Sequence, residues 1–561
     1  MIKAVHLRTI ALAGLLLPLF FLPTRELSAQ EARMLNTRDT ALEWAYLERI
    51  SSGIIPPTTI QSLSVKEALF YEIDTGYLSS ESPSVRGKIS IQPFVMGWKG
   101  LDTSRAMWNK SLFDRFRLED PALLFGVSFA SPSFYGTTSI DFGTDSLPVY
   151  AKENGSSGFW KPLDYVSYWT FPEEGYLSYS GRSITVAAGR LKTGIGLGRE
   201  NIFLNGDARW YDQIQFSWYS TRFRFFALWG TSSSHLNNDE YSVQTFANTN
   251  ADGESMGWDR LNNHDASVQS LVPLKMFSYH RIEYKPLPWM GFGLSEMQLV
   301  GGKVPDLSNL LPTVIWHNNY SAGVSNVMLH ADTWMVPVKN LLVFGEFLMD
   351  DSKAPKESGA SKPNCWGWTA GMTWTVPVFP DDWRFSAAAE FSLVDKWTYD
   401  RWQPYLTMYQ RQIITGGHRG FNIPLGHGEG GDVSQAILTL TALSRKGQRL
   451  ELAYTFIDKG PVYLGMIEKN PAFTAGSGKP EYIPVYYDYD DWAGSGALKA
   501  LLGNIRKYTH VLNAKAVWPL SPALEANGEI DFRIILNAGH IAGKKAAETT
   551  YKAGLKWTYG N

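Results

Sequence analysis

A single cysteine, Cys365, in 561 residues rules out an intramolecular disulfide, so the fold is held without covalent staples. Because that cysteine lies far from any leader cleavage site, a lipid-attachment cysteine at a mature N-terminus is excluded as well. Long apolar runs are also scarce. Past residues 10–22 no segment approaches the about 18 uncharged apolar residues of a spanning helix, which excludes a helical membrane protein. A net charge of -2 lacks the basic excess that a polyanion demands, so nucleic acid is excluded as a partner. No His-rich or paired-Cys spacing points to a metal, and no cofactor is expected. His418 and His427 share a glycine-rich loop with Glu429 and Asp432, but their separation matches no compact ligand set. Linkers, low-complexity tracts and repeats of fixed period are missing too, which leaves one large unit behind a leader.

That leader is residues 1–29. Lys3 and Arg8 form its charged start, residues 10–22 its apolar core, and "LSA" at 27–29 a small-residue cleavage pattern. The apolar core is too short to anchor the chain in a bilayer, so export with cleavage is expected.

What the chain does have is aromatic residues in period two. Aromatics are 14% of the sequence, with 21 Trp and 27 Tyr. In 366–376 one face carries Trp366, Trp368, Met372 and Trp374, and the other Thr369, Thr373 and Thr375. The same split recurs in 383–392, 221–229 and 448–456, the pattern of strands with one greasy and one polar face. A soluble sandwich alternates in this way too, but it has no reason to alternate its loop lengths. Here short connections, such as "KPLP" at 285–288, "PVKN" at 337–340 and "SRKG" at 444–447, alternate with long ones at 230–276, 394–433 and 458–508. Short turns at one end and long loops at the other predict an all-β fold, a transmembrane antiparallel β-barrel of about 18 strands, over residues 86–561. Its final strand, in "TTYKAGLKWTYGN" at 549–561, alternates Tyr551, Leu555, Trp557 and Tyr559 with Lys552 and Lys556 and would close on the first, since lipid tolerates no open edge. Outer-membrane lipid and the barrel-assembly machinery are the partners this architecture implies. Residues 30–85 precede the barrel as a short helical periplasmic segment. Within it "TRDTALEWAYLERISSG" sets Leu42, Ala45, Tyr46 and Ile50 on one helical face, starting near Asp39 and stopping at Gly53; a second apolar stretch at 63–70 is a further helix or a plug element.

The stretch "SYHRIEYKPLPWMGFGLSEMQLVGG" at 278–302 fixes which face is inside. Arg281 and Glu283 share a face with Tyr279 and Lys285, and His280, Ile282 and Tyr284 share the other. Arginine facing lipid at the midplane costs about 2–4 kcal/mol, so the charged face is the lumen. The same phase sends Arg222, Arg224, Asp332, Glu346, Asp350, Arg384, Glu390, Arg449, Glu451, Asp531 and Arg533 inward. Such mixed charges either brace and fill the barrel through cross-strand ion pairs or line the constriction of a porin for polar solutes.

Four pieces, "GRLKTGIGLGRENIFLNG" at 189–206, "HRIEYKPLPWMGFGLSEMQLVGG" at 280–302, "NLLPTVIWHNN" at 309–319 and "LLVFGEFLMDD" at 341–351, together resemble the Wzi family of outer-membrane capsule-assembly proteins. The resemblance implies an eighteen-strand barrel with helical periplasmic elements and a blocked lumen that holds capsular polysaccharide at the cell surface. The positions that match the family are Arg190, Arg199, His280, Arg281, Glu283, Tyr284, Glu296, Asn318, Asn319, Asp350 and Asp351, and the resemblance implies that many of them are architectural. The chain departs from the family pattern in its long aromatic and Asp-rich loop at 458–508.

Within that loop, "EYIPVYYDYDDWAG" offers Tyr482, Tyr486, Tyr487, Asp488, Tyr489, Asp490, Asp491 and Trp492. Sugar rings stack on aromatic faces and sugar hydroxyls donate to carboxylates, so this mixture suits glycan capture; interfacial aromatics beside a solvated acidic tip would have the same composition. Trp316, with His317 and Asn318, forms a second candidate in another long loop. The glycine-rich run at 194–198 follows a strand and opens no helix, which disfavours phosphate cradling, and no Ser-His pairing suggests a nucleophile; the chain is not expected to be an enzyme.

Overall fold

The computed structural model describes residues 32–36, 39–73, 84–100, 120–142, 157–160, 172, 174–206, 208, 210–248, 274–302, 304–317, 325–352, 364–376, 382–401, 403–414, 419–470, 474, 481–485 and 504–559. Among them, eighteen antiparallel traverses form a closed barrel in which chain neighbours pair. The first traverse is split into Ser84–Ile91 and Phe94–Lys99 around Gln92 and Pro93, because proline has no N–H to give the ladder. The last strand, Lys545–Tyr559, pairs with both halves and seals the cylinder, with Trp557 opposite Ile91 and Tyr551 opposite Gly97. Starting the first strand at Ser84 places the barrel boundary two residues ahead of the expected 86.

Alternation decides what each side chain touches. On Lys275–Leu287 and its neighbour Met290–Gly301, Ile282 and Leu294 are 56% and 64% exposed on the outside, whereas Arg281 and Glu283 are wholly buried. A soluble sandwich would do the reverse; an outward apolar row is the surface that a bilayer covers. Trp368, Met372 and Trp374 continue that row on Cys365–Val376. No helix among the described residues is long and apolar enough to cross a membrane.

The N-terminal segment runs into the barrel. A helix, α1 (Thr40–Ser52), begins after Asp39 and ends at Gly53, whose φ of 84° suits a residue without Cβ. Trp44, Leu47 and Ile50 on one side of α1, with Ile55 after it, pack on Trp334, Val336, Leu342, Phe344 and Leu443 at the short-turn end of the wall. Its other side, Leu42, Ala45 and Tyr46, packs on Leu63, Val65, Ala68, Tyr71 and Tyr219. The helix is apolar on two faces because it is seated in the barrel mouth and covered on both. Residues 55–64 then climb the lumen. A short helix, α2 (Val65–Phe70), follows, capped by the Ser64 hydroxyl accepting from the Glu67 N–H at 3.1 Å.

From the long-loop end a second element descends to meet this plug. Residues 192–206 leave the strand Ile184–Leu191 and fold inward, so that Ile195, Ile202, Phe203 and Leu204 share an apolar cluster with Ile60, Phe226, Tyr279, Met297 and Met328. The Gln61 N–H donates to Gly194 O at 2.8 Å and the Gly196 N–H to Thr59 O at 2.9 Å, which joins plug and loop by their backbones.

Candidate functional site

Three layers of polar contacts hold these inserted elements, and each uses charges that strand alternation points inward. The lowest is wholly desolvated. Arg281 Nε donates to Glu283 Oε1 at 2.9 Å, its Nη2 to Asp332 at 2.8 Å and to Thr59 Oγ1 at 2.7 Å, and its Nη1 to Ser295 at 2.9 Å. Thr58 and Thr59 of the plug return hydroxyl protons to Glu283 at 2.8 Å and Asp332 at 2.9 Å. Next to it Arg224 pairs with Glu67 of α2 at 2.6 Å, both side chains fully buried, and Lys285 donates to Pro57 O at 2.9 Å. Three cations thus meet three carboxylates, two of the carboxylates belonging to the wall and one to the plug. Burial of this many charges is tolerable only when each is paired and hydrogen-bonded.

The middle layer suspends the 192–206 loop. Glu390 accepts the backbone N–H groups of Arg199 at 2.7 Å and Glu200 at 3.1 Å, and the Arg199 side chain reaches Glu451 at 2.6 Å. A Cβ at Gly198 would lie 2.6 Å from a Glu390 oxygen, so the glycine-rich run exists to let backbone approach carboxylate. Glu451 also pairs with Arg449 at 2.5 Å, and Arg449 reaches Glu43 of α1. Arg384 lies 3.6 Å from Glu48 with its guanidinium 5.2 Å above the Trp44 ring. His330, stacked on Phe203 at 4.7 Å, sits 3.4 Å from Glu346.

The top layer belongs to the long loops. Asp350 pairs with Arg401 at 2.9 Å and accepts the Tyr399 N–H at 2.7 Å, while the Tyr399 hydroxyl donates to Ile202 O of the inner loop. Inside the expected 394–433 loop the chain forms a hairpin, Tyr409–Ile414 with Arg419–Pro424, whose Ile423 packs on the lumen cluster together with Met408 and Leu425 of the flanking chain. Its neighbour loop is tied to it where Asp400 accepts the Gly465 N–H at 2.8 Å; burial pushes the Asp400 carboxyl up to about 7. Arg506 clamps the loop bases through Asp432 at 3.0 Å and Asp458. Asp531 and Arg533 pair with each other at 3.0 Å on the opposite wall.

Two sequence assignments need correction. Arg222 is exposed in the turn before Phe223–Ser232 rather than in the lumen, because Ser220 and Phe223 close that turn and the strand begins one residue later. Trp316 is 1% exposed: its ring stacks on His280 at 4.4 Å and its N–H donates to Glu296 at 2.8 Å, so neither face is open to a sugar. Tyr482 lies half-buried on Tyr482–Pro484, paired with Ile467–Lys469. Tyr486, Tyr487, Asp488, Tyr489, Asp490, Asp491 and Trp492, with Asn318, Asn319 and His418, lie outside the described residues. The structure adds two aromatics that sequence reading passed over, Tyr241 on the loop helix Asn238–Asn248 and Tyr463, both exposed on the long-loop side. Neither sits within a run of aromatics, so no local pattern marks it. Among the described residues no cluster of His, Cys, Asp and Glu is arranged to hold a metal ion.

Residues 172–532 match the family described as capsule assembly protein Wzi. No curated protein sequence matches the chain. Among solved structures, Wzi of Escherichia coli, a carbohydrate-binding β-barrel involved in group 1 capsule assembly, is similar at a TM-score of 0.53 and 11% identity over 94% of this chain and 99% of that one. The outer membrane channel DcaP of Acinetobacter baumannii aligns at a TM-score of 0.32 and 12% identity over 86% and 99% of the two chains. OccK5 of Pseudomonas aeruginosa aligns at 0.38 and 8% over 85% and 98%.

Proposed function

This chain belongs to the Wzi family of capsule assembly proteins, and on that premise we propose that it binds and anchors capsular or other surface polysaccharide at the outer membrane. One observation carries the reading from the residues: the lumen wall spends Arg224, Arg281, Glu283, Asp332 and Glu390 on gripping a plug and an inner loop, so the long-loop face is what remains to meet a ligand. Loops on a rigid barrel are where recognition resides. Exposed Tyr241 and Tyr463, with Tyr482 and the aromatic and acidic run 486–492 on the same connections, supply ring faces and carboxylates for sugar rings and hydroxyls. The protein works by holding, with no chemical step. A cleaved leader over residues 1–29 exports it, and the aromatic last strand hands it to the barrel-assembly machinery.

The test replaces residues 486–492 by a Gly-Ser linker and measures polysaccharide retained on the cell surface. Retention is expected to fall while the amount of folded barrel stays constant. Unchanged retention removes that loop from the reading.

A further inference from the structure

Strand Met290–Gly301 presents Phe292 and Leu294 outward near its start, and then, still outward, Glu296 and Gln298. His280 lies opposite Glu296 on the same outer face. Around these polar groups the wall in register is apolar: Ala227 faces His280 and Phe216 faces Ala227 on one side, and Leu329 faces Glu296, Met349 faces Leu329 and Trp366 faces Met349 on the other. A carboxylate has thus been placed at the height of the greasy belt. Left bare, it would meet hydrocarbon at a cost.

It is not left bare. Residues 304–317 leave the top of this strand and fold back down over the outside of the barrel. Glu296 accepts the Trp316 N–H at 2.8 Å and the His317 N–H at 2.6 Å, and His280 Nε2 stands 3.2 Å away beneath the stacked Trp316 ring. Asn309 donates to Gln298 at 3.1 Å, and Trp229 Nε1 donates to Leu310 O at 2.8 Å. Every one of these polar groups turns toward the wall. The opposite side of the segment carries Val304, Leu307 and Ile315, exposed at 63%, 71% and 65%, with Leu311 beside them. Asp306, Ser308, Thr313 and His317 are exposed as well, so the outer side of the segment is mixed, with four large apolar side chains among its polar ones.

We propose that residues 304–317 form a lipid-immersed flap, seated in the outer leaflet with Val304, Leu307, Leu311 and Ile315 against acyl chains and clasped to the barrel by Glu296. The occupant follows from continuity: the apolar side of the flap extends the belt formed by Phe292, Leu294, Leu329 and Met349, which already faces lipid. The flap restores an apolar outer surface where the strand itself does not. This assignment is independent of what the long loops bind.

The experiment uses the full chain, with Cys365→Ala removing its buried thiol, reconstituted in phosphatidylcholine vesicles. A nitroxide is attached at Leu307→Cys and, separately, at Ile315→Cys. Collision with oxygen, which concentrates in lipid, is compared with collision with a water-soluble nickel chelate. Labels at Leu294→Cys on the wall and Tyr463→Cys in a long loop set the lipid and water references. Both flap labels are expected to favour oxygen severalfold over the Tyr463 label and to fall near the Leu294 label. Nickel collision at either flap position equal to that at Tyr463 overturns the proposal. Exclusion of both reagents, the signature of a protein-covered contact, overturns it as well.

Discussion

Arg281 and Arg533 both point into the barrel, yet they live in different solvents. Arg281 is sealed between wall and plug with Nε, Nη1 and Nη2 all donating hydrogen bonds, whereas Arg533 pairs with Asp531 and its side chain stays partly exposed. The same contrast runs along the strands. On those from Tyr211 to Asp351, Arg224, Arg281, Glu283 and Asp332 are buried against residues 55–67. On Lys507–Ser521, Leu524–Leu536 and Lys545–Tyr559, Lys515, Glu529 and Lys552 stand in register as a ladder of alternating sign whose members are exposed or half-buried. Inward charge therefore does two jobs in one barrel. Where the plug lies, charge is structural glue that has given up its water; along the Lys515, Glu529 and Lys552 ladder it keeps contact with water.

Substitutions matched between the two walls test that contrast. Arg281→Met strands the Glu283 and Asp332 carboxylates and should cost about 3–5 kcal/mol, read as a lower urea midpoint in micelles. Removing Arg224 alone should approach the same loss, but Arg224→Met combined with Glu67→Leu should recover most of it, since a buried pair replaced by apolar groups is close to neutral. A double variant as unstable as the single one would mean that the pair does more than satisfy itself. Arg533→Met should cost less than Arg281→Met, because the Arg533 side chain is partly exposed and its loss strands one carboxylate, Asp531, rather than two; a loss matching that of Arg281→Met would erase the distinction.

The smallest effect is local and depends on pH. Burial lifts the Asp400 carboxyl to about 7, against the pull of the Gly465 N–H, Lys459 and Arg401 and with the push of Asp350. With the folded value above the unfolded value of about 3.9, its contribution is complete below that lower value and is lost as pH rises through about 7. Exchange protection of the Gly465 amide, corrected for intrinsic rate, should fall between about pH 6 and 8, and Asp400→Asn should flatten that profile.

Much of the barrel was legible because strand side chains alternate strictly: the phase that separates Ile282 from Arg281 needs no neighbour to be seen. Helix α1 was legible at both ends for a similar reason, since Asp39 and Gly53 are local signals. Its second apolar face was not, because only the surrounding wall explains why Trp44 and Leu47 are buried as well. Residues 55–64 carry no period, and their partners Gly194, Glu283 and Asp332 are far along the chain. Trp316 misled for the opposite reason: an aromatic in a long loop looks available until a carboxylate on the outer wall is known to hold its backbone. Alternation at Arg222 had the correct parity but ran past the end of the strand.

The N-terminal segment and the 192–206 loop occupy the lumen and leave a holder rather than a conduit. Conductance of the purified, full-length chain in a planar bilayer tests it most directly. No steady openings are expected; large, stable openings from the intact protein would mean that the lumen is a conduit.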